Sequence, residues 1–87
     1  MSPQENLIRA RKLLIEKGWV PYPSYEENGP NCAHGALAVT TGEDTSPAAK
    51  VMYEVLDYQP IGEWNDRQTS ITPILDAFDK AIAILAR

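Results

Sequence analysis

At three places in this chain a small hydroxyl residue is followed by proline and then by apolar residues at helical spacing: Ser2-Pro3, Ser46-Pro47 and Thr72-Pro73. Each pair is a helix start. The hydroxyl accepts a hydrogen bond from an orphan N–H of the first turn, and proline at the first helical position lacks only a donor that would have had no partner. Ser2 has Glu5 three residues on, the spacing of a capping box. A chain of 87 residues that writes this signal repeatedly has little room for a sheet.

The spacing predicts four helices. The first runs from about Pro3 to Lys17 and stops at Gly18, with Leu7, Ala10 and Leu14 on one stripe, Ile8, Arg11 and Ile15 beside it, and Glu5, Arg9, Lys12 and Glu16 opposite. Trp19 is expected to pack back on that stripe. The second spans Cys32 to about Thr41, capped by Asn31 and closed by Gly42. Its small residues Ala33, Gly35, Ala36 and Ala38 admit another backbone at close range, which places it centrally. The third covers Pro47 to about Asp57 on Ala48, Val51, Met52, Val55 and Leu56. The fourth covers Pro73 to about Ala86 on Ile74, Leu75, Phe78, Ala81, Ile82 and Leu85. Val20 to Pro30, with three prolines and an Asn28-Gly29-Pro30 turn, is read as an extended aromatic loop, with a short hairpin over Trp19 to Tyr25 as its only ordered variant. Gln59 to Arg67 is read as a second irregular loop anchored by Trp64. The expected architecture is a single all-α domain over residues 1–87, a compact bundle of four helices with two aromatic, Pro-rich loops meeting at one end.

Size and charge remove several classes of function. A chain this short buries only about 60–65% of the surface its unfolded form exposes, so a modest core is expected, and 87 residues leave no room for a separate catalytic domain. One cysteine and one histidine can make neither an internal disulfide nor a thiolate zinc site. The lone thiol, and a first apolar stretch broken by Arg9, Arg11 and Lys12, fit a cytoplasmic protein, and no apolar run approaches the roughly 18 residues of a membrane span. The net charge of −4 argues against nucleic acid. The charge is also uneven: residues 19–45 carry four acids and no base, a local anionic surface that serves solubility or docks a basic partner.

If the chain does chemistry, Cys32 and His34 are where it would start. Inside a helix, however, residues two apart point about 200° away from each other and cannot share a proton. A thiol at a helix N-terminus can still gain acidity and oxyanion donors, with Asn65 or Asp66 as the remaining candidates to orient an imidazole. Against this, free cysteine is among the most buried residue types, and Ala33, Ala36 and Leu37 beside it are core-like. A buried, inert Cys32 is the expected state, and no catalytic residue is assigned. Metal binding by His34 with Glu26, Glu27 or Asp66 lacks any ligand spacing, and no cofactor motif is present. Trp64-Asn65-Asp66 folds its own turn or presents polar groups beside an aromatic face, and the turn is the simpler account. Tyr22, Tyr25, His34, Trp64, Asn65 and Asp66 form the candidate binding surface, with Tyr53, Tyr58 and Trp19 as further interface-type rings.

The order Cys32-Ala33-x-Gly35-Ala36-Leu37, then Ile61-x-x-Trp64-Asn65-Asp66, then a final amphipathic helix resembles a family of small proteins of unknown function from actinobacteria and their phages. The resemblance runs from the first helix with its Gly18-Trp19 end to the last helix. It implies a compact fold and that biological setting, and no established activity. His34 departs from the pattern, which counts against any mechanism that needs it. The expected function is a non-enzymatic interaction protein, a phage accessory factor binding a host protein through aromatic and acidic loop surface, in the host cytoplasm if phage-encoded. A homodimer is the lesser version of this idea. The competing expectation is a thiol-dependent hydrolase or transferase using Cys32. Nucleic-acid mimicry would need more net acid than twelve carboxylates against eight bases.

Overall fold

A computed structural model describes residues 2–43 and 45–87; Met1 and Asp44, one of the four acids of the anionic segment, lie outside the described residues. Among the described residues the chain is all-helical: α1 (Pro3–Lys17), α2 (Ala33–Thr41), α3 (Pro47–Val55), α4 (Ile61–Asp66) and α5 (Thr72–Leu85). The radius of gyration is 11.2 Å. About 12 Å is usual for a folded chain of this length, so the packing is tight.

Two of the three hydroxyl-proline starts cap as their sequence requires. Ser2 Oγ accepts the Glu5 N–H at 3.1 Å and Ser46 Oγ accepts the Ala49 N–H at 3.1 Å. Thr72 does not cap. Ile71 stands at the N-cap of α5 in helical backbone, with no side-chain hydrogen bond, and Thr72 and Pro73 are already inside the helix. The start of α2 also differs from expectation: its N-cap is Cys32, whose Sγ accepts the Gly35 N–H at 3.1 Å, while Asn31 turns its amide into the preceding loop. A sulfur can replace a hydroxyl here because the cap is buried and no water competes for the N–H.

The long helices enclose one cluster of buried apolar residues that includes Leu7, Leu14, Leu37, Met52, Ile74 and Phe78. Ile8 and Ile15, on the second stripe of α1, are 48% and 54% exposed, so the buried stripe of that helix is the narrow Leu7-Ala10-Leu14 line. Arg11 lies beside it and pairs with Asp79 of α5, Nη2 donating to Oδ2 at 3.3 Å with Nε 2.8 Å from Oδ1. α2 packs against α1, α3 and α4, the central position its small residues require.

Gly35 permits a close backbone approach. A Cβ there would sit 1.8 Å from the Ser24 carbonyl oxygen, so the loop backbone rests directly on the first turn of α2. That loop closes on itself rather than forming a hairpin. Trp19 and Asn31 make an isolated parallel bridge, with Val20 N–H donating to Asn31 O at 3.0 Å and Asn31 N–H donating to Gly18 O at 3.1 Å. The segment is thus an Ω-type loop with adjacent ends. Gly18 enters it with φ 102° and ψ 159°, a backbone region essentially restricted to glycine.

The segment after α3 departs furthest from the sequence reading. α3 stops at Val55, because Asp57 and Tyr58 both take left-handed backbone, φ 54° and 64°. Tyr58 N–H then returns to Tyr53 O at 2.9 Å. In place of the expected irregular loop the chain forms α4, a helix of six residues entered from Pro60 without a side-chain cap. With α4 counted, the described residues form five helices, and the four longer ones correspond to the four expected from sequence.

Candidate functional site

Two constellations stand at the end of the molecule where α2 begins. The first is polar and closed. Asn65, fully buried on α4, accepts hydrogen bonds at Oδ1 from Trp19 Nε1 (2.6 Å) and from the Ala33 N–H (2.9 Å). Its amide nitrogen donates to Val20 O (3.1 Å) and to Asp66 Oδ1 (3.2 Å). All the donor and acceptor capacity of one side chain thereby joins the Ω-loop, the α2 N-terminus and α4. Asn31, also fully buried, does the same within the loop: Oδ1 accepts Glu26 N–H at 2.7 Å, and Nδ2 donates to Glu26 O and Gly29 O at 2.6 and 3.0 Å. Cys32 completes the closed set. It is 1% exposed, and its thiol faces Ser24 O at 3.7 Å while capping α2.

The second constellation is open. A groove of about 470 Å³ runs between the first turn of α2, the outer face of α3 and the start of α4. Ala49 and Ile61, both 8% exposed, supply its apolar floor, and His34, Lys50, Tyr53 and Glu63 supply its walls. Gly62 also lines it, where a side chain would project into open space. The volume lies within the ~300–1,000 Å³ range of ligand pockets. Two of the lining side chains, His34 and Tyr53, are each paired with a further ring. Tyr25 meets His34 edge-on, centroids 5.7 Å apart, with its hydroxyl 3.0 Å from His34 Nδ1. Tyr53 meets Tyr58 edge-on at 5.3 Å, and the left-handed Asp57-Tyr58 backbone is what folds that ring back. Tyr25 and Tyr58 are 49% and 64% exposed. Lys50 and Glu63 are exposed and belong to no ion pair among the described residues.

The sequence candidates therefore divide. Cys32 and Asn65 lie in the closed hub with Asn31, and Trp64 is half-buried against the apolar core. Asp66 is exposed and accepts from Asn65. His34 and Tyr25 belong to the open groove, and Tyr22 stands on the Ω-loop, 57% exposed. Cys32 and His34 use different partners, as helical geometry requires, the thiol with Ser24 and Gly35 and the ring with Tyr25. Ile61 and Glu63 are not legible in the sequence as groove residues because Gln59 to Arg67 reads there as a loop, and Lys50 is not because no local pattern sets α3 against that segment. The available signal was Ile61, Trp64 and Asn65 at helical i, i+3, i+4 spacing. It was masked by Gly62, Asn65 and Asp66, which are weak helix formers.

Among the described residues no three His, Cys, Asp or Glu side chains converge to hold a metal ion, and no helix is long and apolar enough to cross a membrane. Fold and site together define a small all-helical protein with a polar structural hub beside an open, ring-flanked groove. The chain belongs to the family of unknown function DUF6197, whose model matches residues 1–84. No curated protein and no solved structure matches it.

Proposed function

We propose that this chain is a small, non-enzymatic interaction protein that takes a protein partner in the groove between α2, α3 and α4. The observation that carries the reading is the groove itself: an apolar floor, the lining rings of His34 and Tyr53, each paired edge-on with a further tyrosine, and on its walls Lys50 and Glu63, in no ion pair among the described residues. Exposed tyrosines around a desolvated centre are the composition of protein-binding surfaces. An accessory role for an actinobacterial phage, acting on a host protein, is the biological form of the same proposal. The competing reading, a thiol-dependent hydrolase or transferase, has less support, since Cys32 is 1% exposed and its sulfur is engaged with the Gly35 N–H and Ser24 O.

The test is affinity capture from an actinobacterial lysate with wild-type bait and with Tyr53→Ala and Lys50→Glu baits of unchanged circular dichroism. A protein retained by the wild type and lost by both variants is the expected result. Capture indifferent to both substitutions would remove the groove from the function.

A further inference from the structure

The Asn28-Gly29 step of the Ω-loop belongs neither to the hub nor to the groove, and it carries a chemistry of its own. The side-chain carbonyl of an asparagine is open to attack by the backbone nitrogen of the next residue. Glycine presents that nitrogen with no side chain to shield it and with the freest backbone. Of the four asparagines, Asn6, Asn28, Asn31 and Asn65, only Asn28 is followed by glycine. The structure separates them further. Asn31 and Asn65 are fully buried, and their amide nitrogens are engaged by two hydrogen bonds each. Asn6 lies within α1, ahead of the fully buried Leu7. Asn28 is exposed and its side chain joins no hydrogen bond among the described residues. The peptide unit linking it to Gly29 is bonded at neither its carbonyl nor its N–H, whereas Glu26 and the Gly29 carbonyl are pinned by Asn31. A free unit between held neighbours can turn until Gly29 N reaches Asn28 Cγ.

We infer that Asn28 is a site of spontaneous deamidation, with water as the co-reactant, and that the isoaspartate product loosens the Ω-loop. The Gly29 nitrogen gives its proton to solvent base and forms a bond to Asn28 Cγ. The Cγ–Nδ2 bond breaks, and Nδ2 takes up a proton and leaves as ammonia. Water then opens the cyclic imide. Cleavage between the Gly29 nitrogen and Cγ leaves aspartate in a normal backbone. Cleavage between that nitrogen and the main-chain carbonyl carbon leaves isoaspartate, with the backbone routed through the side chain and longer by one methylene. Either product adds a carboxylate beside Glu26 and Glu27, in the acidic segment of a chain already at net −4. Only isoaspartate changes the path from Glu26 to Gly29. Asn31 holds both ends of that path, at Glu26 N, Glu26 O and Gly29 O, with distances of 2.7, 2.6 and 3.0 Å. The longer backbone cannot keep all three bonds, so the loop is released as the protein ages, whatever occupies the groove.

Incubation of the full chain at mildly alkaline pH, followed by peptide mapping with mass spectrometry and by isoaspartate methyltransferase labelling, tests this. Amide-to-acid conversion is expected at residue 28, with isoaspartate among the products and Asn6, Asn31 and Asn65 unchanged. The rate at residue 28 in the native chain should lie within about tenfold of its rate in urea, because the fold leaves this peptide unit free. Gly29→Ala, whose Cβ meets Glu26 Cβ at 3.3 Å and asks only a small shift of that side chain, should slow conversion at least about tenfold, a barrier higher by about 1.4 kcal/mol. Asn28→Gln, which would have to close a larger ring, should slow it further. Aged wild type should exchange the Val20 and Asn31 N–H groups faster than fresh protein, whereas Asn28→Asp, with its normal backbone, should not. Conversion no faster at Asn28 than at Asn31 overturns the site. So does a native rate more than tenfold below that in urea, or one indifferent to Gly29→Ala. An isoaspartate-bearing chain with exchange unchanged at Val20 and Asn31 overturns the release of the loop.

Discussion

Replacing Asn65 by alanine removes one side chain and opens three joints at once. Trp19 Nε1 and the Ala33 N–H lose their acceptor, and Val20 O loses its donor. Leaving a buried polar group unpaired costs about 1–3 kcal/mol. The Ala33 amide is buried and takes the upper part of that range, whereas Trp19 and Val20 are half-buried and recover part of the loss from water. The expected total is about 3–5 kcal/mol, set against about 4–13 kcal/mol for a chain of this length. Urea unfolding followed by circular dichroism reads it directly. With a slope of roughly 1 kcal/mol/M, the midpoint should fall by about 3 M or more, or the variant should be partly unfolded without denaturant. Asp66→Ala, which removes only the exposed acceptor of the fourth bond, should stay within about 0.5 kcal/mol. Amide exchange should quicken first at Val20, Asn31 and Cys32, whose N–H groups close the Ω-loop. An Asn65→Ala loss below about 1.5 kcal/mol would refute the assignment of Asn65 as the joint between loop, α2 and α4.

Gly35→Ala should destabilise by at least about 2 kcal/mol, since its Cβ would meet the Ser24 carbonyl at 1.8 Å and the loop must lift; calorimetry should show the melting temperature down by about 8 °C or more. Cys32→Ala should cost about 1 kcal/mol as a lost cap and Cys32→Ser should recover most of it, while the native thiol should react with a disulfide reagent far more slowly than in urea; a native thiol that reacts faster than the unfolded one would revive the thiol-enzyme reading. Asp57→Gly should stabilise by about 0.5–1 kcal/mol by relieving left-handed backbone. Tyr58→Gly should gain less or nothing, because it also removes the ring pair with Tyr53; a larger gain at Tyr58 than at Asp57 would show that the pair contributes no stability.

Much of the frame was legible because it is local. Ser2-Pro3 and Ser46-Pro47 start α1 and α3 by satisfying N–H groups a few residues away, and Gly18 and Gly42 end α1 and α2 with positive φ of 102° and 81°. The apolar stripes of α3 and α5 follow from the same short-range periodicity. Local rules also placed Cys32 and His34 on different sides of the α2 start. They failed at Thr72, where Ile71 already has helical backbone, and at Asn31, whose amide gains three bonds inside the loop in place of one at a cap.

The sequence by itself determined an all-helical chain, four of its helices, and the burial of a cysteine among small residues. Only the tertiary structure decided that Gln59 to Arg67 would contain a helix, and that Asn65 would bond residues 45 and 46 positions before it in the chain. It alone brought His34, Lys50, Tyr53 and Glu63 around one groove. The physical reason is range. Capping and periodicity act over one to four residues and are written in the chain, whereas a buried amide finds its partners, and a groove its walls, only after the helices have packed.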